Sequence, residues 1–331
     1  MQLQPYGVWL ACASLIGLIL FAVGARKRGI GLDAVSWLAV TAVPLSVLFA
    51  RLLYCLCRMT WFLEKGPAWF FAFREGGFMM FGAFGGLILA AWLTARITET
   101  RFGALLDALT VPGLLTYGIG RIADLIAGQG YGWPISDWFS VDAFDPEEYT
   151  GMSIFHMEDA SFFERLPFSV EDAYYGNFRW AVALFIGIAA LILAFVLWKT
   201  KVRREGSLAI MGTAVLCALT VLMESMRQDD LMRWGVVRVN QILSAVILAV
   251  LLVICQLRMP RPVKRAVIIR QWISLLLSMG LVMVAEFMLE KKIVFLDFVP
   301  MDGCYVLMII ACVWLVLAVR SAWKMQDVSS D

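Results

Sequence analysis

Four places in this chain set arginine beside a carboxylate, or beside a second arginine, where long apolar runs begin or end. They are Arg51 with Arg58, Arg74 with Glu75, Arg121 with Asp124, and Glu224 with Arg227; Asn240 and Gln241 open the next apolar run. A charge at membrane depth costs several kcal/mol unless it is paired or hydrated, so each is a functional candidate. The planar guanidinium matches a phosphate with two hydrogen bonds, and an anionic phospholipid headgroup is the natural ligand where a span ends. Arg121–Asp124 and Glu224–Arg227 are also i,i+3 pairs that would satisfy each other on one helix face. Arg58 and Arg74 border a polar loop and read as snorkelling side chains. Arg121 reads as functional, because it follows TYGIG, residues 116–120, whose glycines let a bulky ligand or a neighbouring helix approach.

A second motif is EGGFMMFGAFGG at 75–86, with glycines at 76, 77, 82, 85 and 86. Each glycine in a helix costs up to about 1 kcal/mol relative to alanine, so close approach must offset the loss. Either neighbouring helices pack on the small residues, or a helix N-terminus offers backbone donors to a phosphate or a lipid glycerol. Other chemistry is sparse. The seven cysteines lie scattered in apolar stretches, and Cys55-x-Cys57 has no histidine or second cysteine pair to complete a metal site. His156 is the only histidine, and a single loop histidine reads first as a surface residue. Neither a metal nor a cofactor is expected.

The elements that carry these residues follow from composition. Of 331 residues, 61% are hydrophobic and 16% charged, against roughly 45–50% apolar and about 25% charged in a soluble domain. Runs near 7–24, 35–57, 77–95, 103–126, 179–198, 207–226, 239–257, 273–290 and 304–320 predict an all-α polytopic transmembrane bundle of about nine spans. Continuous runs of this length argue against a barrel. The first run has no positive n-region or cleavage site before or after it, so it is expected to be retained. Connections after the odd-numbered spans, with the C-terminal tail, carry 16 Lys and Arg against 10 in the even-numbered ones. That bias predicts an exterior N-terminus and a cytoplasmic C-terminus, and puts the ends listed above in the outer leaflet. The polar segment 127–178, rich in aromatics and containing DPEEY and His156, reads as an exoplasmic loop or cap. A net charge of +2 gives no reason to expect nucleic acid.

Five stretches in order resemble the prolipoprotein diacylglyceryl transferases: Tyr6-Gly7 opening the first span, FARLLY at 49–54, EGGFMMFGAFGG at 75–86, LLDALTVPGLLTYGIGRIADLIAGQGYG at 105–132, and MESMRQDD at 223–230 through NQILS at 240–244. The fourth is similar to the family signature, a Gly-Arg-Ile-Gly-Asn-Phe core followed by a Tyr-Gly pair, here Arg121 and Tyr131-Gly132. The resemblance implies a seven-span core over 1–258 with an exoplasmic N-terminus, and leaves two further helices and a cytoplasmic tail in 259–331. It implies transfer of a diacylglyceryl group from phosphatidylglycerol, or a similar anionic phospholipid, to the lipobox cysteine of a secreted precursor presented by its signal peptide at the plasma membrane. Glycerol phosphate is released. By the same resemblance Arg121 and Glu224 are catalytic, and Tyr6, Arg51, Gly76, Gly77, Gly82, Asp124, Gly132, Arg227 and Gln241 bind substrate.

The chain departs from the family at several chemical positions. Phe81 stands where the family has histidine, Asp124 where the signature has asparagine, and Ala127 at a further asparagine. Leu216 and Thr220 fall at the tyrosine and second arginine of the sixth span, and EDAYYGNF at 171–178 is a remnant of a His-Pro-x-x-x-Tyr-Glu segment. A thiol nucleophile needs a base, and a departing phosphate needs cations. Either His156, Glu75, Tyr174 or Tyr175 substitutes, or the scaffold is a noncatalytic subunit that binds lipid or a partner. A solute transporter ranks lower, since the charges gather at span ends rather than at the midplane.

Overall fold

The structure is a computed structural model and describes residues 5–126, 129–135, 169–171, 178–201, 204–228, 232–234, 237–260, 262–296 and 298–327. Among these residues the fold is all-α, and nine helices are long and apolar enough to cross a bilayer. They are α1 (Pro5–Lys27), α2 (Leu32–Cys57), α4 (Met80–Ile97), α5 (Phe102–Ile126), α6 (Val182–Lys199), α7 (Ser207–Met226), α8 (Val239–Leu257), α9 (Arg265–Leu289) and α10 (Met301–Asp327), with a short α3 (Met59–Lys65) after α2. The chain is a multi-pass membrane protein. Most of the nine are amply long: the 26 residues of α2 reach about 39 Å at about 1.5 Å per residue.

Two helix starts differ from the hydropathy reading. α9 begins at Arg265 rather than near 273, because Arg265 and Arg270 are good helix formers and extend the helix beyond its apolar stretch. α4 begins at Met80 rather than 77, because Gly76 (φ +74°) and Gly77 (φ +76°) adopt the left-handed region and form a turn before it. Two short antiparallel ribbons were not expected: β1 (Ser169–Glu171) with β2 (Phe178–Trp180), and β3 (Arg233–Trp234) with β4 (Val237–Arg238). Both lie in connections, where backbone groups cannot be satisfied by a helix. His156, Tyr174, Tyr175, Ala127 and most of the expected cap lie outside the described residues.

By internal contacts the chain divides into two compact units. The smaller comprises Ser14–Gly113 and Leu197–Ala209, and the larger Met1–Ala13, Leu114–Val196 and Ile210–Asp331. In the smaller unit α2 and α4 cross with almost no side chain between them. A Cβ on Gly82 would collide with the carbonyl of Phe49, and one on Gly86 with that of Leu45. Four residues apart on one face, these two glycines are a small-x-x-x-small contact, the packing alternative of the sequence reading. Beside them Phe21, Leu38, Ala90, Ala91, Leu105 and Leu109 form a buried core. Asp107 of α5, also buried, accepts hydrogen bonds from the backbone N–H groups of Gly206 (2.8 Å) and Ala209 (3.0 Å), satisfying orphan donors at the start of α7.

In the larger unit glycine again sets a helix crossing. Gly118 of α5 and Gly187 of α6 face each other, and a Cβ on either would lie 2.9 Å from the other's carbonyl oxygen. The glycine turn before Arg121 therefore admits a neighbouring helix. α9 and α10 pack along each other, and α10 also packs on α8.

Candidate functional site

In the smaller unit Arg51 ends as a latch. It is 1% exposed, and its donors all meet backbone carbonyls of the turn between α3 and α4. Nε donates to Phe70 O at 3.2 Å, Nη1 to Gly76 O and to Gly77 O at 3.2 Å, and Nη2 to Trp69 O at 2.6 Å and Ala72 O at 3.4 Å. Five donors on one rigid fork can gather five carbonyls, which no other side chain can do. Gly77 is required there, since its Cβ would sit 2.7 Å from Arg51 Nη1 and 2.5 Å from the Tyr54 ring. Gly76, Gly77 and Arg51 thus form one folded turn, while Gly82 serves helix packing. Glu75 accepts from Trp69 Nε1 at 2.9 Å and stays exposed. Arg58 lies over the rings of Trp61 and Tyr54, at 4.9 and 5.7 Å. Phe81 is buried in α4.

The larger unit brings most of the remaining candidates together. Near the end of α5, Arg121 Nη1 bonds Asp124 Oδ2 at 2.8 Å and Nε bonds the Tyr117 hydroxyl at 3.0 Å. Glu224 lies within electrostatic reach of both Tyr117 and Arg121, and Arg227 within reach of Tyr117. Glu224, near the end of α7, is 1% exposed. Its Oε1 accepts from Arg227 Nη1 at 3.2 Å and from Asn240 Nδ2 at 2.9 Å. Its Oε2 is buried with no hydrogen-bond partner among the described residues. A buried carboxylate oxygen left without a donor costs free energy, and such an atom marks a place where a ligand donor belongs.

Gly132 pins the signature loop into this cluster. It forms an antiparallel bridge with Arg227, and its N–H donates to Trp180 O at 2.8 Å. A Cβ on it would lie 2.6 Å from Val182 Cγ2 and 2.8 Å from Met226 O. Tyr131 carries the Arg179 guanidinium over its ring at 5.3 Å. At the start of α8, Gln241 Oε1 accepts from Arg238 N at 2.9 Å, and Gln241 Nε2 donates to Val221 O at 3.2 Å and to Glu286. Tyr6 lies in the first turn of α1, its side chain outside the described set.

Three residues here escaped the sequence reading. Arg238, counted as a loop charge, is buried, and its Nη2 donates to Arg227 O. Glu286 and Tyr305 lie in the two C-terminal helices and reach the same network. A glutamate in the last apolar turn of α9 was the available signal, since a carboxylate at a span end needs a partner. Leu216 and Thr220 are buried in α7, and the Thr220 hydroxyl bonds Leu216 O at 2.8 Å within its own helix.

These features define a polytopic membrane protein whose helix ends hold a buried guanidinium–carboxylate cluster, one carboxylate oxygen of which lacks a donor among the described residues. The chain belongs to the prolipoprotein diacylglyceryl transferase family, whose model matches residues 1–257. Among its relatives, the phosphatidylglycerol–prolipoprotein diacylglyceryl transferase of Listeria monocytogenes is 26% identical over 244 residues, covering 73% of this chain and 81% of that one. The enzyme of the same name from Halalkalibacterium halodurans is 26% identical over 254 residues, covering 75% and 81%. That of Gloeobacter violaceus is 30% identical over 215 residues, covering 64% and 71%.

Proposed function

We propose that this protein transfers the diacylglyceryl group of phosphatidylglycerol to the cysteine thiol of a prolipoprotein, at the outer leaflet of the plasma membrane. The observation that carries the reading is that Arg121, paired with Asp124, and Arg227, bridged to Gly132, both lie in the field of Glu224, whose Oε2 has no hydrogen-bond partner among the described residues. In the reaction the thiolate sulfur attacks the glycerol carbon that bears the phosphoester. A C–S bond forms, the C–O bond to phosphate breaks, and glycerol phosphate leaves with the electron pair. Arg121 and Arg227 neutralise the phosphate as its charge rises, which is worth most in a site closed to water. Glu224 Oε2 is the acceptor for the thiol proton, a task that the imidazole of other family members would perform where this chain has Phe81. Asp124 and Tyr117 hold Arg121 in place, and Gly132 and Gln241 shape the walls.

The orientation rests on the Lys and Arg bias: N-terminus outside, C-terminus in the cytoplasm, and the residues of the site at the external end of their spans. The precursor arrives through its signal peptide. Residues 1–258 form the transferase core, with segment 127–178 as its external cap, and 259–331 are an addition to it.

The test is direct. Purified protein mixed with labelled phosphatidylglycerol and a lipobox peptide should give a thioether-lipidated peptide and free glycerol phosphate. Phe81, Leu216 and Thr220 favour a second reading, a noncatalytic lipid-binding or partner-binding subunit. Phosphatidylglycerol retained by the protein, with no lipidated peptide formed, would establish that reading in place of the first.

A further inference from the structure

The family match ends at residue 257, so α9 and α10 lie beyond it. Because lipid tails are as apolar as leucine, a helix pair added to a membrane protein gains nothing from apolar burial and is held by close packing or by interhelical hydrogen bonds, of which packing alone can suffice. This pair instead reaches the candidate site through polar atoms. The Tyr305 hydroxyl of α10, on a residue 6% exposed, lies 3.1 Å from Trp133 Nε1 and 3.2 Å from Ser225 O. An indole N–H can only donate and a carbonyl can only accept, so the hydroxyl accepts from Trp133 and donates to Ser225. Trp133 follows Gly132 in the signature loop, and Ser225 follows Glu224 at the end of α7. One hydroxyl therefore ties together the two segments whose bridge, Gly132 to Arg227, closes the site.

A second tie runs through α9. Glu286, 5% exposed, accepts from Gln241 Nε2, while Gln241 Oε1 accepts from the Arg238 N–H that opens α8. Gln241 also donates to Val221 O, one helical turn before Glu224. Glu290, a turn further along, pairs with Arg233 at 3.1 Å in the connection between α7 and α8. At the opposite end of α9, Gln271 bonds Gln256 of α8 at 3.0 Å and touches no residue of the site. A glutamate buried in a span is costly, and here its acceptor oxygen adds a third partner to the Gln241 amide, from a helix outside α7 and α8.

We infer that Tyr305 and Glu286 are positioning residues: the C-terminal helices hold the signature loop, the end of α7 and Gln241 in register, and the site is incomplete without them. This rests on the transferase reading above for its effect on turnover, though not for its effect on the loop itself.

The experiment uses the full chain in phosphatidylglycerol-containing micelles, with Tyr305→Phe, Glu286→Leu, Glu286→Gln and the control Gln271→Leu. Two quantities are followed: transfer kinetics to a lipobox peptide, and amide hydrogen exchange over 129–135 and 224–228. Misplacing a site by about 1 Å costs up to about a hundredfold in rate. On that scale Tyr305→Phe and Glu286→Leu should each lower kcat by about tenfold or more, leave KM for phosphatidylglycerol within about threefold, and speed exchange in both segments. Glu286→Gln retains an oxygen that accepts from Gln241 and should stay within about threefold of the parent kcat. Gln271→Leu should match the parent in both measurements. Parent-like exchange and kcat in Tyr305→Phe and Glu286→Leu would overturn the inference. So would a rise in KM alone, and a Glu286→Gln variant as slow as Glu286→Leu would show that the charge acts rather than the hydrogen bond. If the parent protein transfers nothing, the transferase reading fails, and the exchange comparison still decides the positioning role.

Discussion

Arg121 and Arg51 are both guanidinium groups near span ends, yet their surroundings differ. Arg51 spends its donors on carbonyls of residues 69–77, whereas Arg121 rests on Asp124 and Tyr117 within electrostatic reach of Glu224, which has an oxygen without a donor among the described residues. Lysine has three donors on one point charge, so Arg51→Lys should leave carbonyls of the turn unpaired and cost about 1–3 kcal/mol, read as a lower unfolding midpoint in detergent. Arg121→Lys keeps the charge and loses the fork that binds phosphate with two hydrogen bonds. It should fold like the parent and lose about tenfold or more in kcat/KM for phosphatidylglycerol. Glu224→Gln keeps an acceptor for Asn240 and Arg227 but removes the anionic oxygen, and it should lower kcat by about a hundredfold or more while phosphatidylglycerol still binds. Arg121, Glu224 and Arg227 were legible as candidates because a charge at membrane depth needs a reason. Arg51 looked the same in one dimension, and only the folded turn of Gly76 and Gly77 reveals that its ligands are the chain's own carbonyls.

At the scale of elements, glycine decides where helices cross. Gly82 and Gly86 let α2 and α4 meet backbone to backbone, and Gly118 and Gly187 do the same for α5 and α6. Gly85, on the neighbouring face of α4, would place its Cβ no nearer than 3.9 Å to the Phe49 ring. Gly82→Leu should therefore force α2 and α4 apart, with a cost of about 1–3 kcal/mol or more, and Gly85→Ala should be tolerated; thermal unfolding of the purified protein separates the two. The nine apolar runs could be placed from hydropathy because a continuous run of about 20 residues has one stable solution in lipid. The start of α4 could not, since a Gly-Gly pair is equally apolar inside a helix and in a turn, and the positive φ that distinguishes them has no signature in hydropathy. Asp107 was missed for a related reason: its partners are backbone N–H groups nearly a hundred residues away in sequence, at the start of α7.

For the whole molecule sidedness decides, because the proposed site, which would take an outer-leaflet lipid and a secreted precursor, has to face outward. The positive-inside rule acts through short connections and through residues close to the span ends. Those criteria are met by Arg26, Lys27 and Arg28 between α1 and α2, by Lys199, Lys201, Arg203 and Arg204 between α6 and α7, and by Arg258, Arg261 and Lys264 between α8 and α9. The opposing connections also carry cations, but several of these are held by the protein: Arg227 and Arg238 are buried, and Arg233 pairs with Glu290. Reporters that fluoresce only in the cytoplasm should be bright when fused after Thr100 or Lys324 and dark after Gly66 or Lys292, with the reverse pattern for an export-dependent phosphatase. An inverted pattern would put Arg121, Glu224 and Gln241 on the cytoplasmic side, where no secreted precursor presents its cysteine, and the transfer reaction would have no acceptor.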